Sequence, residues 1–396
     1  MRFQVTRVRS HLRKYLSGSA ASTPVLHVEG EKNTSSYLLQ NYIFFVDQYI
    51  RLSKSPKQDA WQVTYRSSKW LTERLALNAL DYEVPRTTHL LRYMLGGLTA
   101  FLLAVLVLTG LYLAQYYNPT PNGAHDSVLY LITRAPLGDW VRSLHYWSAG
   151  GVVVTVTAHL VFVFWRRSYK GPREVTWWAG VAMAGVLFLL TITGTVLRYD
   201  QEGFEALAHF VAGGNLTGAF GAFFTEGFTP STSLLSRIFG LHTSLLPILL
   251  LLLIALHFWL IRQLGIHADY SETGIFRNHA TRLTGVSLLL FAGLGVFAIV
   301  MPEGIGYPAV SGVEITKPFW PVLWIYGLEN LLGAWGMILG PAFIFIYLVA
   351  VPLLDRGEDD TPGQHGWVGW TGLLLGMTVL ILWLYGMFGE AQQHIM

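Results

Sequence analysis

The chain has 396 residues, of which 52% are hydrophobic and 13% are charged, and its mean hydropathy is +0.42. This composition is far from that of a soluble domain and predicts an integral membrane protein. The net charge of +3 is small, and the basic residues lie at the ends of apolar segments, so no nucleic-acid partner is expected. The absence of cysteine excludes disulfides, thiolate-bound zinc, cysteine-ligated iron-sulfur clusters and haem attached through a thioether bond.

The region before the apolar segments carries basic residues but lacks the apolar core that a secretory signal peptide needs. We therefore expect the N-terminus to stay in the cytoplasm. Residues 37–52 are aromatic-rich but interrupted by polar and charged residues, which favours an interfacial or packed helix over an additional span. Residues 67–85 have the pattern of a helix lying on the membrane surface.

Seven apolar runs are long enough to cross about 30 Å of hydrocarbon. They cover about 90–116, 143–165, 177–197, 240–262, 284–301, 330–354 and 368–388. The sequence therefore predicts an all-α membrane protein with seven transmembrane helices. The expected organisation is an extension (1–66), a four-helix bundle holding the first four spans (67–262), a polar linker (263–282) and a three-helix module (283–396).

The distribution of Lys and Arg predicts the orientation in the membrane. Basic residues are concentrated before the first span, between the second and third spans, and between the fourth and fifth spans. The loop between the third and fourth spans contains neither Lys nor Arg. The positive-inside rule places the basic ends in the cytoplasm, and we expect a prokaryotic cytoplasmic membrane.

Four histidines occur in pairs within the second and fourth spans. His145 and His159 are fourteen residues apart in "RSLHYWSAGGVVVTVTAHLVF", and His242 and His257 are fifteen apart in "LHTSLLPILLLLLIALHFW". His159 is rotated by about 40° from His145 and lies about 21 Å along the helix axis from it, and the corresponding values for His242 and His257 are about 60° and about 22 Å. If neighbouring spans alternate in direction, His145 shares one depth with His242 and His159 shares another with His257. Two bis-imidazole sites stacked across the membrane, as low-spin haem requires, are the favoured interpretation.

Glycines in the first and third spans repeat at the same interval, Gly96 with Gly110 and Gly180 with Gly194. Glycine leaves a helix surface without side chains, which the edge of a macrocycle needs for close approach. Plain helix packing is the alternative use of such glycines. For the histidines, the alternatives are single polar residues bonded to carbonyl groups and a proton or ion path, although neither requires equal depths in two helices.

These motifs, with the "SYKGPRE" loop after the second span, resemble cytochrome b of the quinol-oxidising cytochrome bc complexes over residues 67–388. The fifteen-residue interval and the seven spans are similar to the bf branch, with its separate subunit IV part fused into one chain. The resemblance implies two non-covalent b-type haems, held by His145 with His242 near the outer side and by His159 with His257 near the cytoplasm.

The resemblance also implies roles for two arginines. Arg142 corresponds to an arginine that faces a haem propionate, and Arg262 to an arginine at the cytoplasmic quinone site. The bf branch opens its first span with "YCLGG", where the cysteine attaches a further haem, but this chain reads "YMLGG" with Met94. A covalent third haem is therefore excluded, whereas a non-covalent haem near Met94 stays open.

The outer quinol site departs from the family pattern. The "PEWY" signature, whose glutamate takes a proton from quinol, aligns with "KPFWP", so Phe319 stands in place of the acid and Trp320 follows it. The "PWDQ" motif similarly becomes "RYDQ" at 198–201. Phenylalanine accepts no proton, so either another group does this work or the site is altered.

Four acids near these motifs are candidates for the missing proton acceptor: Glu314, Glu329, Asp200 and Glu202. Glu329 is preferred, because an acid after "PVLWIYGL" is expected to be desolvated. A hydrogen-bonded carboxylate at a helix end is the alternative for Glu329.

The function favoured by the resemblance is electron transfer from quinol at the outer side to quinone near the cytoplasm, within a quinol:cytochrome c oxidoreductase or one with another high-potential acceptor. The implied partners are a Rieske iron-sulfur protein and a c-type cytochrome in a homodimeric complex. Both must be separate chains, because this chain has no cysteine to bind a cluster or attach a haem. The alternatives are a non-bifurcating dihaem conduit to a partner enzyme, which the changed "KPFWP" favours, and a haem-free transporter.

Overall fold

The computed structural model describes residues 69–394 except 71, 269 and 357–365. Two compact units are distinguished, Met1–Asn78 and Ala79–Met396. In the first unit only 69–70 and 72–78 are described, as helical turns. The predictions for 1–66, including the helix over 37–52, lie outside the described residues.

The second unit is built from helices. In chain order they are α1 (Leu91–Ala114), α2 (Ala124–Thr133), α3 (Gly138–Trp165), α4 (Glu174–Val196), α5 (Gln201–Thr217), α6 (Leu234–Leu264), α7 (Phe276–Val300), α8 (Leu323–Leu332), α9 (Gly336–Leu354) and α10 (Trp367–Phe388). Within the described ranges, seven helical segments are long and apolar enough to span a membrane: α1, α3, α4, α6, α7, α8 with α9, and α10. The predicted all-α fold with seven spans is confirmed.

The outward faces of these helices are apolar. Leu252, Leu289 and Phe343 are 65%, 75% and 64% exposed, and they represent many leucine, valine and phenylalanine side chains that point away from the protein. Such a surface would be unstable in water but is satisfied by lipid chains. The chain is an integral membrane protein.

The bundle core lies where α1, α3, α4 and α6 meet. Leu102, Val152, Leu187 and Leu250 are buried there, one from each of these helices. Helix α1 packs against α3, and α4 against α6, while α7 covers α3 and α9 covers α4. The four helices that the sequence assigns to the bundle therefore surround one common interior.

The fifth span begins earlier than the sequence predicted. Helix α7 starts at Phe276 instead of about 284, so the last residues of the expected linker 263–282 are helical. A short antiparallel pair of strands, β1 (Glu83–Pro85) and β2 (Thr273–Ile275), precedes it. The ring of His279 donates from Nδ1 to the carbonyl oxygen of Thr88 at 2.8 Å. The first turns of α7 contain polar residues and lie before the apolar part of the span. Average hydropathy therefore does not detect them as part of the helix.

The sixth span is not the single helix that the prediction of 330–354 implies. Gly333, with φ +62°, ends α8 and separates it from α9. Helix α8 packs closely on α10 because Gly327 and Gly386 lie at the crossing, where any side chain would collide with the carbonyl oxygens of Leu382 and Leu323. This arrangement buries Glu329 one turn before the break.

The two ends of the bundle differ in charge. The basic end, defined by Arg166, Arg167, Lys170, Arg173 and Arg262, is closed by Asp355 at the end of α9. The Asp355 carboxylate accepts from Arg167 Nη2 at 2.8 Å and from the Tyr169 hydroxyl at 2.7 Å. The loop end, opposite, holds α2, α5 and the segment 301–319.

Candidate functional site

The structure places the four histidines on α3 and α6, facing the interior of the bundle. The ring centroids of His145 and His242 are 6.5 Å apart, with an angle of 59° between the ring planes. His159 and His257 lie nearer the basic end, within electrostatic range of each other. Helices α3 and α6 therefore present the histidines as one pair at each of two depths, as their spacing predicted.

Each histidine ring lies against one of the four glycines. The position that a Cβ would take on Gly110 is 3.4 Å from Cε1 of His145, and that on Gly194 is 3.0 Å from Cε1 of His242. The corresponding distances are 3.2 Å from Gly96 to His159 and 3.7 Å from Gly180 to His257. The glycines on α1 and α4 thus give the imidazole rings their space, a more local reason for the matching intervals than clearance for a macrocycle edge alone.

Threonine hydroxyls fix the orientation of one histidine pair. Thr109 Oγ1 lies 2.9 Å from Nδ1 of His145, and Thr193 Oγ1 lies 2.9 Å from Nδ1 of His242. Each hydroxyl already donates its single hydrogen to a helix carbonyl at 2.7 Å, that of Val105 or Leu189. The hydroxyl oxygen must therefore accept from Nδ1–H, which leaves Nε2 of both rings unprotonated and able to bind a metal.

The same orientation applies to His257, whose Nδ1 lies 3.1 Å from the carbonyl oxygen of Thr176. Neither threonine was identified from the sequence. A signal was present, since "TG" occurs at 109–110 and again at 193–194, next to the glycines that face the histidines.

The unequal histidine intervals have a structural cause. Helix α6 contains a π-turn at Leu241–Leu245, and Pro247 lies two residues after its end. Proline has no N–H to donate to the preceding turn, and a π-turn accommodates one extra residue within a helix. The fifteenth residue between His242 and His257 is therefore absorbed, and both histidines face the interior like the pair on α3.

The two arginines predicted to serve cofactors have other contacts. Arg142 is buried, and its Nη2 donates to the carbonyl oxygen of Gly304 at 3.0 Å, while Nη1 donates to that of Glu303. Arg142 therefore fastens the segment 301–319 to α3. Arg262, at the basic end, lies 4.0 Å from the ring centroid of Tyr82. Met94 is buried near the start of α1.

A cluster of charges lies at the loop end beside Phe319. Arg198 contacts Asp200 at 2.9 Å, Glu202 at 3.0 Å and Glu303 at 3.1 Å. The Asp200 carboxylate also accepts from the backbone N–H of Gly306 at 2.8 Å and of Gly203 at 3.1 Å. Asp200 is thus fully engaged in holding the loop to the start of α5.

Glu202 differs from Asp200 in having a vacant oxygen. Its Oε2 pairs with Arg198, but its buried Oε1 has no hydrogen-bond partner among the described residues. The backbone N–H of Phe319 faces the same carboxylate. Burial, followed by the nearby charges of Asp200 and Glu303, raises the pKa of Glu202 to about 7, although Arg198 opposes this shift.

Phe319 and Trp320 lie against α3. The ring of Phe319 is 5.1 Å from that of Tyr146, centroid to centroid, and Trp320 contacts the helix where Gly150 leaves space. The carbonyl oxygen of Trp320 accepts from Trp383 Nε1 at 2.7 Å. The expected outer-site residues Phe319, Trp320, Asp200 and the further candidate Glu202 are therefore close neighbours.

The other two candidate acids form a separate group, here called the His–Glu cluster: His209, Glu314, Glu329 and His394. His209 Nε2 is 3.5 Å from Glu314 Oε1 and 3.4 Å from Glu329 Oε1. His394 Nδ1 is 3.1 Å from Glu314 Oε1. The sequence reasoning singled out neither histidine, and no local spacing relates them to the two acids.

Comparisons with known proteins agree with this architecture. Residues 80–265 match the family model described as Cytochrome b/b6/petB. The chain is 33% identical to cytochrome b6 of Heliomicrobium gestii over 208 residues, half of this chain and 98% of the relative. It is also 33% identical to the cytochrome bc complex cytochrome b subunit of Chlorobaculum thiosulfatiphilum over 281 residues, 63% of this chain and 64% of the relative.

A solved structure described as a hyperthermophilic respiratory Complex III has a similar fold, with a TM-score of 0.66 and 20% identity, over 83% of this chain and 93% of that chain. Fold, paired histidines and relatives together define a membrane electron-transfer protein. The chain belongs to the cytochrome b family, as the resemblance predicted, and membership in this family implies binding of b-type haem.

Proposed function

We propose that the chain is the dihaem cytochrome b subunit of a quinol:cytochrome c oxidoreductase, or of one that uses another high-potential acceptor. The observation that carries the proposal is the occurrence of two histidine pairs at two depths, each ring fitted against a glycine of a neighbouring helix. A single haem or a proton path would not require this duplication.

The residues fit a bis-imidazole haem. A centroid distance of 6.5 Å between His145 and His242 leaves room for a metal with two bonds of about 2.0 Å to imidazole nitrogens. Both rings have their Nδ1 hydrogens engaged by threonine, so Nε2 is the available ligand. His145 with His242 would hold one haem and His159 with His257 the other. When bound, the haems would supply one-electron transfer between the two ends of the bundle.

At the loop end we assign the proton acceptor for quinol to Glu202. Its carboxylate lies beside Phe319, the position at which the family pattern has an acid, and its Oε1 is unpartnered. A pKa of about 7 suits a base that accepts a proton near neutral pH. Asp200 has no vacant oxygen, and Glu314 and Glu329 are engaged in the His–Glu cluster.

The neighbouring groups give Glu202 its function. Arg198 holds Oε2, while Oε1 has no hydrogen-bond partner among the described residues. Phe319, Trp320 and Tyr146 supply apolar and aromatic surface against which a quinol ring can pack. Arg142 holds the loop in place through the carbonyl oxygens of Glu303 and Gly304.

At the basic end we propose a quinone-reduction site near Arg262 and a further non-covalent haem near Met94. The proposed membrane is the prokaryotic cytoplasmic membrane, with the basic end and the N-terminus in the cytoplasm. The proposed partners are a Rieske iron-sulfur protein and a c-type cytochrome on separate chains, in a homodimeric complex.

The rival function is a dihaem conduit that passes electrons between quinone and a partner enzyme without dividing them between two acceptors. Phe319 in place of an acid favours this rival. The position of Glu202 favours quinol oxidation, because its carboxylate provides a proton acceptor beside Phe319 although it comes from a different segment of the chain.

The distinguishing experiment is quinol-driven haem reduction in the purified complex, with and without an outer-site inhibitor and before and after removal of the Rieske protein. We expect that removal of the Rieske protein or inhibition of the outer site slows haem reduction strongly. Inhibitor-insensitive reduction without the Rieske protein would establish the conduit instead.

A further inference from the structure

The His–Glu cluster joins four segments that are distant in sequence. His209 lies on α5, Glu314 on the 301–319 segment, Glu329 on α8 and His394 near the end of the chain. Both carboxylates are almost fully buried, with 7% exposure for Glu314 and 3% for Glu329. Burial of two carboxylates requires a compensating positive charge, because an unpaired buried charge is strongly destabilising.

Three members of the cluster have the geometry of a metal site. One ligand atom from each of His209, Glu329 and His394 lies within 4.8 Å of the other two. Atoms at these distances can reach a single central ion with bonds of about 2.0–2.2 Å after small adjustments.

Two buried polar atoms at the cluster make no hydrogen bond within the described part of the chain. Glu329 Oε1 and Asn330 Nδ2 have no hydrogen bond among the described residues. Asn330 Oδ1 lies 2.7 Å from His394 Nε2. Glu329 Oε1 is thus a buried carboxylate oxygen that lies 3.4 Å from His209 Nε2 without a hydrogen bond, which indicates space for an electropositive ligand shared by the two groups.

Glu314 contacts His394 and is placed to orient its ring. Its Oε2 accepts from the backbone N–H of His394 at 2.8 Å, and its Oε1 faces the ring nitrogen Nδ1 at 3.1 Å. A carboxylate that orients a ligating histidine is a usual feature of metal sites, and it increases the basicity of the ring.

We propose that the His–Glu cluster binds one divalent transition-metal ion of the zinc class, with His209, Glu329 and His394 as ligands and Glu314 as the group that orients His394. Imidazole ligands disfavour Mg²⁺ and Ca²⁺, which prefer oxygen donors, and suit Zn²⁺. Two histidines with one carboxylate form a ligand set that zinc proteins use, with water or a further carboxylate oxygen completing the coordination.

The ion would fasten the end of the chain to α5 and α8 at the loop end. It would thereby hold α8, which precedes the break at Gly333, in its place beside α10. This site is separate from the histidine pairs in the bundle, so its existence does not depend on the proposed redox function.

The test uses the purified full-length complex, stripped with a chelator and titrated with Zn²⁺ alone. We expect one zinc ion bound per chain, a zinc-edge X-ray absorption spectrum with two imidazole ligands, and a rise of a few degrees in Tm on zinc addition. Glu329→Gln, which preserves shape, and His394→Ala should each weaken zinc binding tenfold or more, while the b-haem spectrum verifies that both variants fold.

His279→Ala is the matched control, because His279 is a buried histidine outside the cluster with one backbone partner. It should lower Tm without changing zinc stoichiometry. Zinc binding equal in wild type and both cluster variants, or no zinc-dependent change in Tm of the wild-type complex, would overturn the proposal and leave the cluster as an ion pair carried by protonated histidine.

Discussion

Two threonine hydroxyls control the histidine pair at the loop end. Because each hydroxyl gives its hydrogen to a helix carbonyl, it accepts from Nδ1 of His145 or His242 and leaves Nε2 of that ring free. This hydrogen bond makes the imidazole a more basic ligand, which favours the oxidised form of a bound metal. In the proposed haem site, the threonines would therefore position the ligands without contacting the metal.

Thr193→Val tests this function. Removal of one hydrogen bond worth about 0.5–1.5 kcal/mol should raise the midpoint potential of the haem held by His145 and His242 by roughly 20–60 mV. The control is Thr191→Val, because the Thr191 hydroxyl donates only to the carbonyl oxygen of Leu187. A redox titration of the two variants measures the difference; equal potentials in both would contradict the assignment.

Glu202 should determine the pH dependence of quinol oxidation. Burial raises its pKa to about 7, so the carboxylate that accepts the proton becomes populated as pH rises through this value. We therefore expect kcat/KM to increase across pH 6–8, with an apparent pKa of about 7. Glu202→Gln should abolish this rise and lower turnover by roughly 10²-fold.

The raised pKa of Glu202 affects the stability of the fold in the opposite direction. The folded-state pKa of Glu202 is raised, so the folded protein binds the proton more tightly than the unfolded chain, and stability decreases as pH rises from the unfolded value toward about 7. Activity and stability should therefore change in opposite directions over this window.

Glu226→Gln, which alters an exposed acid of the same region, is the control for Glu202→Gln and should retain the rise of kcat/KM with pH. If Glu329→Gln instead of Glu202→Gln removes it, the proton acceptor is Glu329.

Helix α6 shows how an element accommodates its functional residues. The π-turn at Leu241–Leu245 contains the extra residue of the fifteen-residue interval. Deletion of Ser244 should convert this turn to ordinary α-helix and retain both haems. Insertion of one alanine after Ile254 should rotate His257 by about 100° relative to His242 and eliminate one haem.

Pyridine haemochrome analysis of the two variants provides the count. Two haems per chain in the deletion variant and one in the insertion variant are the expected result. Loss of a haem in the deletion variant, with the same protein yield, would show that the π-turn itself positions His242.

The elements that repeat regularly could be predicted from the sequence. The four histidines and four glycines follow helical intervals, and the seven spans follow from apolar length, so their arrangement required no knowledge of side-chain contacts. The start of α7 and the break at Gly333 could not be located, because polar turns and a change of backbone direction do not appear in average hydropathy.

The contacts of the candidate acids Glu202 and Glu329 could not be predicted from local sequence patterns. Glu329 was preferred for its apolar flank, but its burial brings it to His209 and His394, 120 and 65 residues away in the chain. Burial, with the charges of Asp200 and Glu303, raises the pKa of Glu202, and both the burial and the position of Glu303 result from tertiary contacts. Sequence periodicity relates residues on one element, whereas proton-accepting groups here are created where several elements meet.

The whole molecule connects two chemically different ends through an apolar bundle. At the loop end, Arg142 and Asp200 attach the 301–319 segment to α3 and to the start of α5. At the basic end, Asp355 binds Arg167 and Tyr169 and closes the bundle. The histidine pairs lie between these ends at two depths, which is the arrangement that transfer of electrons across a membrane requires.

The central claim is that one chain holds two bis-imidazole haems. The most direct test is low-temperature electron paramagnetic resonance of the purified protein during a redox titration, combined with haem quantification per chain. We expect two low-spin b-type signals with separate potentials, one lost in His145→Ala and the other in His159→Ala. A single haem per chain, or loss of both signals in each variant with the fold retained, would contradict it.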